Sequence, residues 1–310
     1  MERDDSVFVI GEDVATRGGV FLATEGLLDK FGDQRVIDSP LAESSIAGIS
    51  LGAAMSGMRP IAEVEFADFI WPVFNQIVGE AARVHYATNG ALRVPLVLRA
   101  PYGGGVRGGL YHSQSVESFF SHVPGLKVIA PATPYDAKGL LKSSIRDDDP
   151  VIFLEHKRTY RLVRGEVPAK EYTLPLGKAD VKLEGSDVTV VTYGLMLHHC
   201  VEAARELAGE NISVEVIDLR TLRPLDEETV LTSVEKTGKA LVVHEDTQAL
   251  GIGGEVAATI SEKVFEYLDG PVVRLSGPEV PAMPYSPPLE KMFMLNTEKI
   301  VNSVRRLADY

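Results

Sequence analysis

Two stretches carry residue types arranged for chemistry. In Asp38-Ser39-Pro40-Leu41-Ala42-Glu43-Ser44-Ser45-Ile46-Ala47-Gly48 a single carboxylate, Glu43, enters a small and apolar run that continues through Ile49, Leu51, Gly52, Ala53, Ala54 and Met55. Such a run suits a helix packed closely on all sides. Glu43 falls near its N-terminus, where the helix dipole favours a negative charge. A buried carboxylate must be protonated or partnered, because an unsatisfied polar group in an apolar interior is costly. Glu43 is therefore either a capping residue of its own helix or the partner of a group that needs a proton, such as a cofactor ring nitrogen. The second stretch is Pro101–Gln114, PYGGGVRGGLYHSQ. Its five glycines permit unusual backbone angles and close approach to a ligand. His112, flanked by Ser113 and Gln114, can exchange protons near neutral pH. The alternative is a flexible surface loop with a satisfied histidine. No GK[ST] follows the glycines, so this is not a Walker phosphate loop.

The elements that must position these residues are legible as an alternation. Val7–Ile10 reads as a buried strand, Glu43–Ser56 as a helix and Pro60–Phe66 as a strand. Trp71–Ala87 has the apolar spacing of one long helix. Strands follow at Pro95–Arg99, Lys127–Ala130 and Val151–Glu155. Thr133-Pro134-Tyr135-Asp136 opens a helix with an N-cap, a proline at the first helical position and an acid in the first turn. From Tyr160 to Gly185 the pattern weakens into a linker. A second set then begins: strands Val188–Tyr193, Ser213–Asp218, Ala240–His244 and Pro271–Leu275, with helices Met196–Ala208, Asp226–Lys236 and Gly253–Tyr267. Pro278–Pro288 reads as a surface wrap and Asn296–Leu307 as a closing helix. The fold class is α/β, with mostly parallel sheets covered by helices in two domains, 1–176 and 177–310. The Pro101–Gln114 loop leaves the carboxyl end of a strand, where open α/β sheets bind ligands.

The 310 residues are 45% hydrophobic and 24% charged, which allows a sizeable core. The net charge of −13 argues against nucleic acid and against an anionic membrane surface. A local basic patch is offered by Lys157, Arg158, Arg161 and Arg164. The one cysteine, Cys200, excludes an intramolecular disulfide and a cysteine-based metal cluster. A reducing, cytoplasmic setting is expected, and no apolar run approaches the ~18 residues of a membrane span. His198 and His199 point to different helix faces and suggest no metal. Gly251-Ile252-Gly253-Gly254 is a partial dinucleotide fingerprint, better read as a turn and helix start. Asp147-Asp148-Asp149 reads as a solvated turn, with oxygen ligation of a hard cation as the alternative.

Taken together, PLAES…AG, EFADFIWPVFNQIVGEAA, RAPYGGG, LYHSQS, HVPGLKVIAPATPYDAKGLL and DPVIFLEHK, followed by GKADV, VTYG, VIDLRTLRPLD, TGKALVVHED and EVAATISE, resemble one family across nearly the whole chain. It is the beta subunits of the thiamine-diphosphate-dependent 2-oxo acid dehydrogenases, with LYHSQS and FADFI most similar to the branched-chain (2-oxoisovalerate) members. Pyruvate and acetoin dehydrogenase beta subunits share much of the rest. The resemblance implies a transketolase-like pyrimidine-binding domain and a transketolase C-terminal domain. It implies an α2β2 heterotetramer whose alpha subunit holds the diphosphate and its Mg²⁺ through a GDG…N motif; no GDG occurs here. It implies work with the lipoyl domain and core of a dihydrolipoyl acyltransferase.

Residue by residue, Glu43 matches the glutamate that hydrogen-bonds the aminopyrimidine ring nitrogen. Leu41 and Phe69 match positions that pack on that ring, although branched-chain members often carry tyrosine where Phe69 stands. Glu65 matches a position occupied by glutamine. His112 matches the histidine that serves acyl transfer to lipoamide. The family also implies potassium sites, one on carbonyls at Val94, Leu96 and Val97, another at Ser144, Asp147 and Asp149. Members usually begin with a further helix before the strand at Val7.

Overall fold

A computed structural model describes all of residues 1–310. Twelve strands form two sheets: β1 (Val7–Gly11), β2 (Val36–Asp38), β3 (Arg59–Glu63), β4 (Val97–Tyr102), β5 (Lys127–Ile129), β6 (Val151–His156), β7 (Asp180–Leu183), β8 (Val188–Thr192), β9 (Val214–Asp218), β10 (Thr221–Arg223), β11 (Ala240–Thr247) and β12 (Val273–Gly277). The first sheet has the order β10-β5-β6-β4-β3-β1-β2 and the second β12-β11-β8-β9-β7. All pairings are parallel except β10 with β5 and β7 with β9, which edge the two sheets. The inner strands are apolar on both faces, as a sheet covered by helices on both sides requires; β1 and β8 are buried at every position.

Capping side chains fix where several helices begin. Thr133 Oγ1 accepts the amide of Asp136, and Pro134 takes the first helical position of Pro134–Arg146. Asp226 caps Glu227–Thr237, which Gly238 ends with φ 69°. Asn296 caps the closing helix, Thr297–Ala308.

Trp71–Ala87 is not one helix. It is a 3₁₀ turn (Trp71–Val73), a π-helical stretch (Asn75–Ala81) and an α-helical end (Ala82–Ala87). Pro72 has no amide to bond backwards, so the regular ladder cannot start there. Such π stretches are rare and often lie near functional sites. The Glu43 helix (Glu43–Met55) also departs from expectation, since it is packed on one side only. Ile46, Ala47, Ser50 and Ala54 are buried, while Ile49 is 55% exposed and Met55 is exposed beside it.

The boundary near residue 176 separates the two sheets except at one point. β10 belongs to the later part of the chain yet adds an antiparallel strand to the first sheet. Arg220, just before it with φ 55°, accepts the amide of Ala130 and donates from Nη1 to Asp136 at 3.0 Å. Burial alone would raise the Asp136 carboxyl; Thr133, Lys182 and Arg220 overcome that and hold it low. One apolar core runs from Phe8 and Ile10 through Tyr102 and Phe120 to Tyr193, Ile217 and Val264, so the two sheets are packed as one body.

Candidate active site

The residues singled out by their chemistry follow the carboxyl ends of the parallel strands. Glu12 follows β1, Leu41 and Glu43 follow β2, Glu65 and Phe69 follow β3, and His112 lies in the loop after β4. This is the rim at which open α/β sheets take ligands.

Glu43 occupies the first turn of its helix, whose N-terminus has no side-chain cap. Glu43 is therefore not the cap of its own helix. It is half-buried rather than buried, and Leu41 beside it is 81% exposed. The packing expected around both is thus not supplied by this chain. Glu12, which sequence reading passed over, stands behind Glu43. Burial, then the charges of Glu43, Glu65 and Asp13, push its carboxyl up to about 6, against the amide of Ala42 that it accepts. Its Oε1 is buried without a partner. Glu65 is raised as well, first by burial and then by Asp13 and Glu43. Three carboxyl groups thus crowd one corner, and burial with the like charges holds the carboxyls of Glu12 and Glu65 above their ordinary range. The sign of Glu12 in sequence was an acid directly after an all-apolar strand.

The second wall is aromatic. The His112 ring meets Phe66 edge-on at 4.6 Å between centroids and Phe69 at 5.3 Å. Phe66 and Phe69 meet at 5.7 Å, and Phe21 closes on Phe66 at the same distance. Phe69 and His112, far apart in sequence, are therefore neighbours. The loop bearing His112 is held by carboxylates. Asp68 Oδ1 accepts the amides of Ser113 and Gln114 at 3.0 and 3.1 Å, Glu245 accepts Gly104 N–H, and Glu290 accepts Arg107 N–H at 2.9 Å. It is an anchored loop, not a free one. Asp68, Glu245 and Glu290 carry no local sequence signature, because their partners are backbone amides far away in the chain.

The corner suits a flat, basic heterocycle. It has a carboxyl group with a buried oxygen lacking a donor, carboxylates of raised proton affinity and aromatic edges beside a histidine. An aminopyrimidine ring has that donor and acceptor chemistry. No group of three or more His, Cys, Asp or Glu side chains is arranged to hold a metal ion.

The other expectations sort differently. Lys157, grouped with a surface basic patch, is fully buried. His198 Nε2 donates to Ala132 O at 2.8 Å and His199 Nδ1 contacts Thr297 Oγ1 at 3.2 Å, both in structural roles. Gly251 precedes the helix Ile252–Lys263, and Gly251 and Gly253 lie against His244. At the Asp147–Asp149 turn the chain supplies its own cations. Lys127 Nζ lies 2.7 Å from Asp147 and 3.1 Å from Asp149, and Arg59 lies 2.7 Å from Asp148. Arg59 Nη1 also donates to the carbonyls of Ile145 and Asp147. The carboxylates of Asp147 and Asp149 and the carbonyl of Asp147 are thus already engaged by cations of this chain. The carbonyls of Val94 and Leu96 accept Leu96 N–H and Val151 N–H, each with a lone pair left. No helix is long and apolar enough to cross a membrane.

Fold and site define a two-domain transketolase-like chain. The transketolase pyrimidine-binding domain matches residues 1–163, and the transketolase C-terminal domain matches 177–300. A solved split-gene transketolase, an inactive β4 tetramer, superposes with a TM-score of 0.80 at 24% identity over 99% of this chain and 93% of that one, a likeness of fold. The chain is 59% identical to the 2-oxoisovalerate dehydrogenase subunit beta of Bacillus subtilis over 310 residues, 100% of this chain and 95% of that protein. It is 46% identical to the pyruvate dehydrogenase E1 component subunit beta of the same organism, with the same coverage. The chain belongs to the beta subunits of the 2-oxo acid dehydrogenases.

Proposed function

We propose that this chain is the beta subunit of a branched-chain 2-oxo acid dehydrogenase, active with an alpha subunit in an α2β2 assembly. The observation that carries the reading is the convergence of Glu43, Glu65, Phe69 and His112 at one sheet rim, in a chain 59% identical to a 2-oxoisovalerate dehydrogenase subunit beta. Thiamine diphosphate would be shared, its pyrimidine ring held here by Leu41, Glu43, Glu65 and Phe69, its diphosphate and Mg²⁺ held by the alpha chain. When bound, it supplies a nucleophilic carbon and a sink for the electrons released with CO₂.

The residues divide the work. Glu43 would hold a proton between its carboxyl and the ring nitrogen, with the Glu12 carboxyl beside it. Phe66 and Phe69 exclude water beside His112. The His112 imidazole exchanges a proton as the acyl group passes to a lipoyl domain of the acyltransferase. Leu41, Ile49, Met55 and Met58 are exposed apolar side chains on and around the Glu43 helix, which a partner chain would cover. The setting is cytoplasmic, as its chemistry and single buried thiol suggest.

The test is decarboxylation of 2-oxoisovalerate and of pyruvate with added thiamine diphosphate and Mg²⁺, by this chain alone and with its alpha chain. Activity only in the pair, with 2-oxoisovalerate well ahead, is expected. Preference for pyruvate would move the chain to the pyruvate type. Turnover by this chain alone would sink the shared-site reading, and unchanged turnover on Glu43→Gln would make it a scaffold.

A further inference from the structure

His156 ends β6 and Lys157 follows it as the first residue of the turn, and their side chains reach different carboxylates. Each meets a carboxylate that itself holds one end of the His112 loop. His156 Nε2 lies 2.9 Å from Glu245 Oε2, and Glu245 accepts the amide of Gly104 at the start of the loop. Lys157 Nζ lies 3.8 Å from Asp68 Oδ2, and Asp68 Oδ1 accepts the amides of Ser113 and Gln114 at its end. Between them Gly103 N–H donates to Gln114 O at 2.9 Å and closes the neck, while Lys157 N–H donates to Tyr102 O. All four side chains are at least 95% buried.

This arrangement is costly. Lys157 Nζ, Asp68 Oδ2 and Ser113 Oγ are buried with no hydrogen-bond partner. Burial pulls the Lys157 ammonium down to about 8 against the attraction of Asp68. A well-packed apolar side chain would serve the fold equally well or better. Lys157 also stands 5.6 Å from the Phe66 ring, which in turn meets the His112 ring at 4.6 Å. The close fit extends to the backbone: a Cβ on Gly103, at φ 82°, would lie 2.1 Å from His156 Nε2.

We infer that His156–Glu245 and Lys157–Asp68 are a double clamp, with Lys157 the positioning residue that sets the His112 end of the loop through Asp68 and Phe66. The two halves feel each other through the charges of Glu245 and Lys157 but hold different amides, so their effects on the loop are distinguishable. Losing Lys157 frees Ser113 and Gln114; losing the Glu245 charge frees Gly104. The effect on acyl transfer rests on the function proposed above, whereas the effect on the loop amides does not.

The experiment is amide hydrogen exchange on the full chain, read residue by residue, for Lys157→Met and Glu245→Gln. With Lys157→Met, Ser113 and Gln114 are expected to exchange on the order of tenfold faster, with β8 unchanged. With Glu245→Gln, Gly104 is expected to move and Ser113 to stay. Asp68→Asn keeps an acceptor oxygen but leaves Lys157 unpaired, and is expected to loosen the same amides; it serves if Lys157→Met fails to fold. Asp68→Asn with Lys157→Met leaves no lone charge and is expected to recover much of the protection. In the complex, Lys157→Met is expected to slow acyl transfer about tenfold while decarboxylation changes less. Unchanged exchange at Ser113 and Gln114 in both single variants, or equal acceleration throughout the chain, overturns the clamp. Faster loop exchange without any effect on acyl transfer leaves the clamp standing and removes its link to the proposed reaction.

Discussion

The sheet rim around Glu43 and the seam around His156 are built from the same residue types and finished differently. At the seam every buried acid but one faces a cation or an amide of this chain: Glu245 faces His156, Asp136 faces Arg220 and Lys182, and Glu63 faces Arg99. Glu117 is the exception, taking only the Tyr193 hydroxyl. At the rim Glu12 has a buried orphan oxygen, Glu43 is only half-covered and Leu41 stands in solvent. Burying unpaired polar groups is costly, and both regions carry some: Asp68 Oδ2, Glu117 Oε2 and Asp218 Oδ2 at the seam, Glu12 Oε1 at the rim. The rim differs in that Glu12, Glu43 and Glu65 repel one another with no ion-pair partner and stand partly open. The contrast separates a region whose acids are mostly paired within the chain from one whose acids are not.

The sharpest way to break that comparison is Glu43→Gln. If the rim is reserved for a cofactor, turnover of the reconstituted pair falls on the order of 10²–10⁴-fold. Stability changes by no more than about 0.5 kcal/mol, because the side chain supports nothing in this chain. Steady-state rates and a denaturant titration on one preparation check both. A variant that lost stability instead would place Glu43 with the seam.

The seam predicts the converse. Arg220→Ala removes one partner of the buried Asp136 and is expected to cost about 3 kcal/mol, at the low end of the range for such pairs because Lys182 and Thr133 remain. A urea midpoint shift reads it. A shift below about 0.5 kcal/mol would mean that β10 holds the two sheets together without this ion pair.

A smaller effect tests the seam's least satisfied acid. Glu117 is fully buried beneath the Tyr193 hydroxyl, which donates to it at 2.8 Å. Burial, then Asp246, pushes its carboxyl up to about 8. Asp218 is pushed up to about 7, first by burial. A carboxyl raised on folding contributes stability that is present at low pH and lost as pH rises through the folded value, because the folded state then binds more protons than the unfolded one. Stability is therefore expected to fall once pH passes the unfolded carboxyl range and to go on falling between pH 6.5 and 8, by about 1–2 kcal/mol per unit in that window. His244, pushed down to about 4 by burial, acts in the opposite sense but below that window. Glu117→Gln should flatten the slope; an unchanged slope would assign it to other groups.

How much of this was legible in the sequence follows the same division. Glu43, Phe69 and His112 were legible because their chemistry is local: an acid in an apolar run, an aromatic after a strand, a histidine after glycines. The Thr133-Pro134 helix start was legible because a cap needs only its own next three residues. The seam was not. Lys157 sits in a run of basic residues that reads as solvated, and only the distant Asp68 and Phe66 show why it is buried. β10 is three residues long and pairs with a strand about ninety positions earlier, which no periodicity reveals. The exposed face of the Glu43 helix was misread for a related reason. Small and apolar residues all round mean burial, but not by which chain.

The smallest expected effect concerns the Asp147–Asp149 turn, which tests whether it belongs with the finished region. Asp147, Asp148 and Asp149 face Lys127, Arg59 and Arg93 at 2.7, 2.7, 3.1 and 3.8 Å, three acids against three bases. Arg59 also takes the Asp147 carbonyl that a cation would need, and that of Ile145 next to it. A potassium ion there would add uncompensated charge and displace a guanidinium that already donates to three oxygens. The melting temperature is therefore expected to agree within about a degree in potassium and sodium chloride of equal strength, since a difference of even 1 kcal/mol would shift it by roughly 2–4 °C in a chain of this kind. Arg59→Met strips the carbonyls and Asp148 of that donor, and should introduce a preference for potassium absent from the parent. A potassium-specific rise in the parent itself would locate the ion on the free lone pairs of Val94 and Leu96 instead, and would move this corner from the finished region to the reserved one.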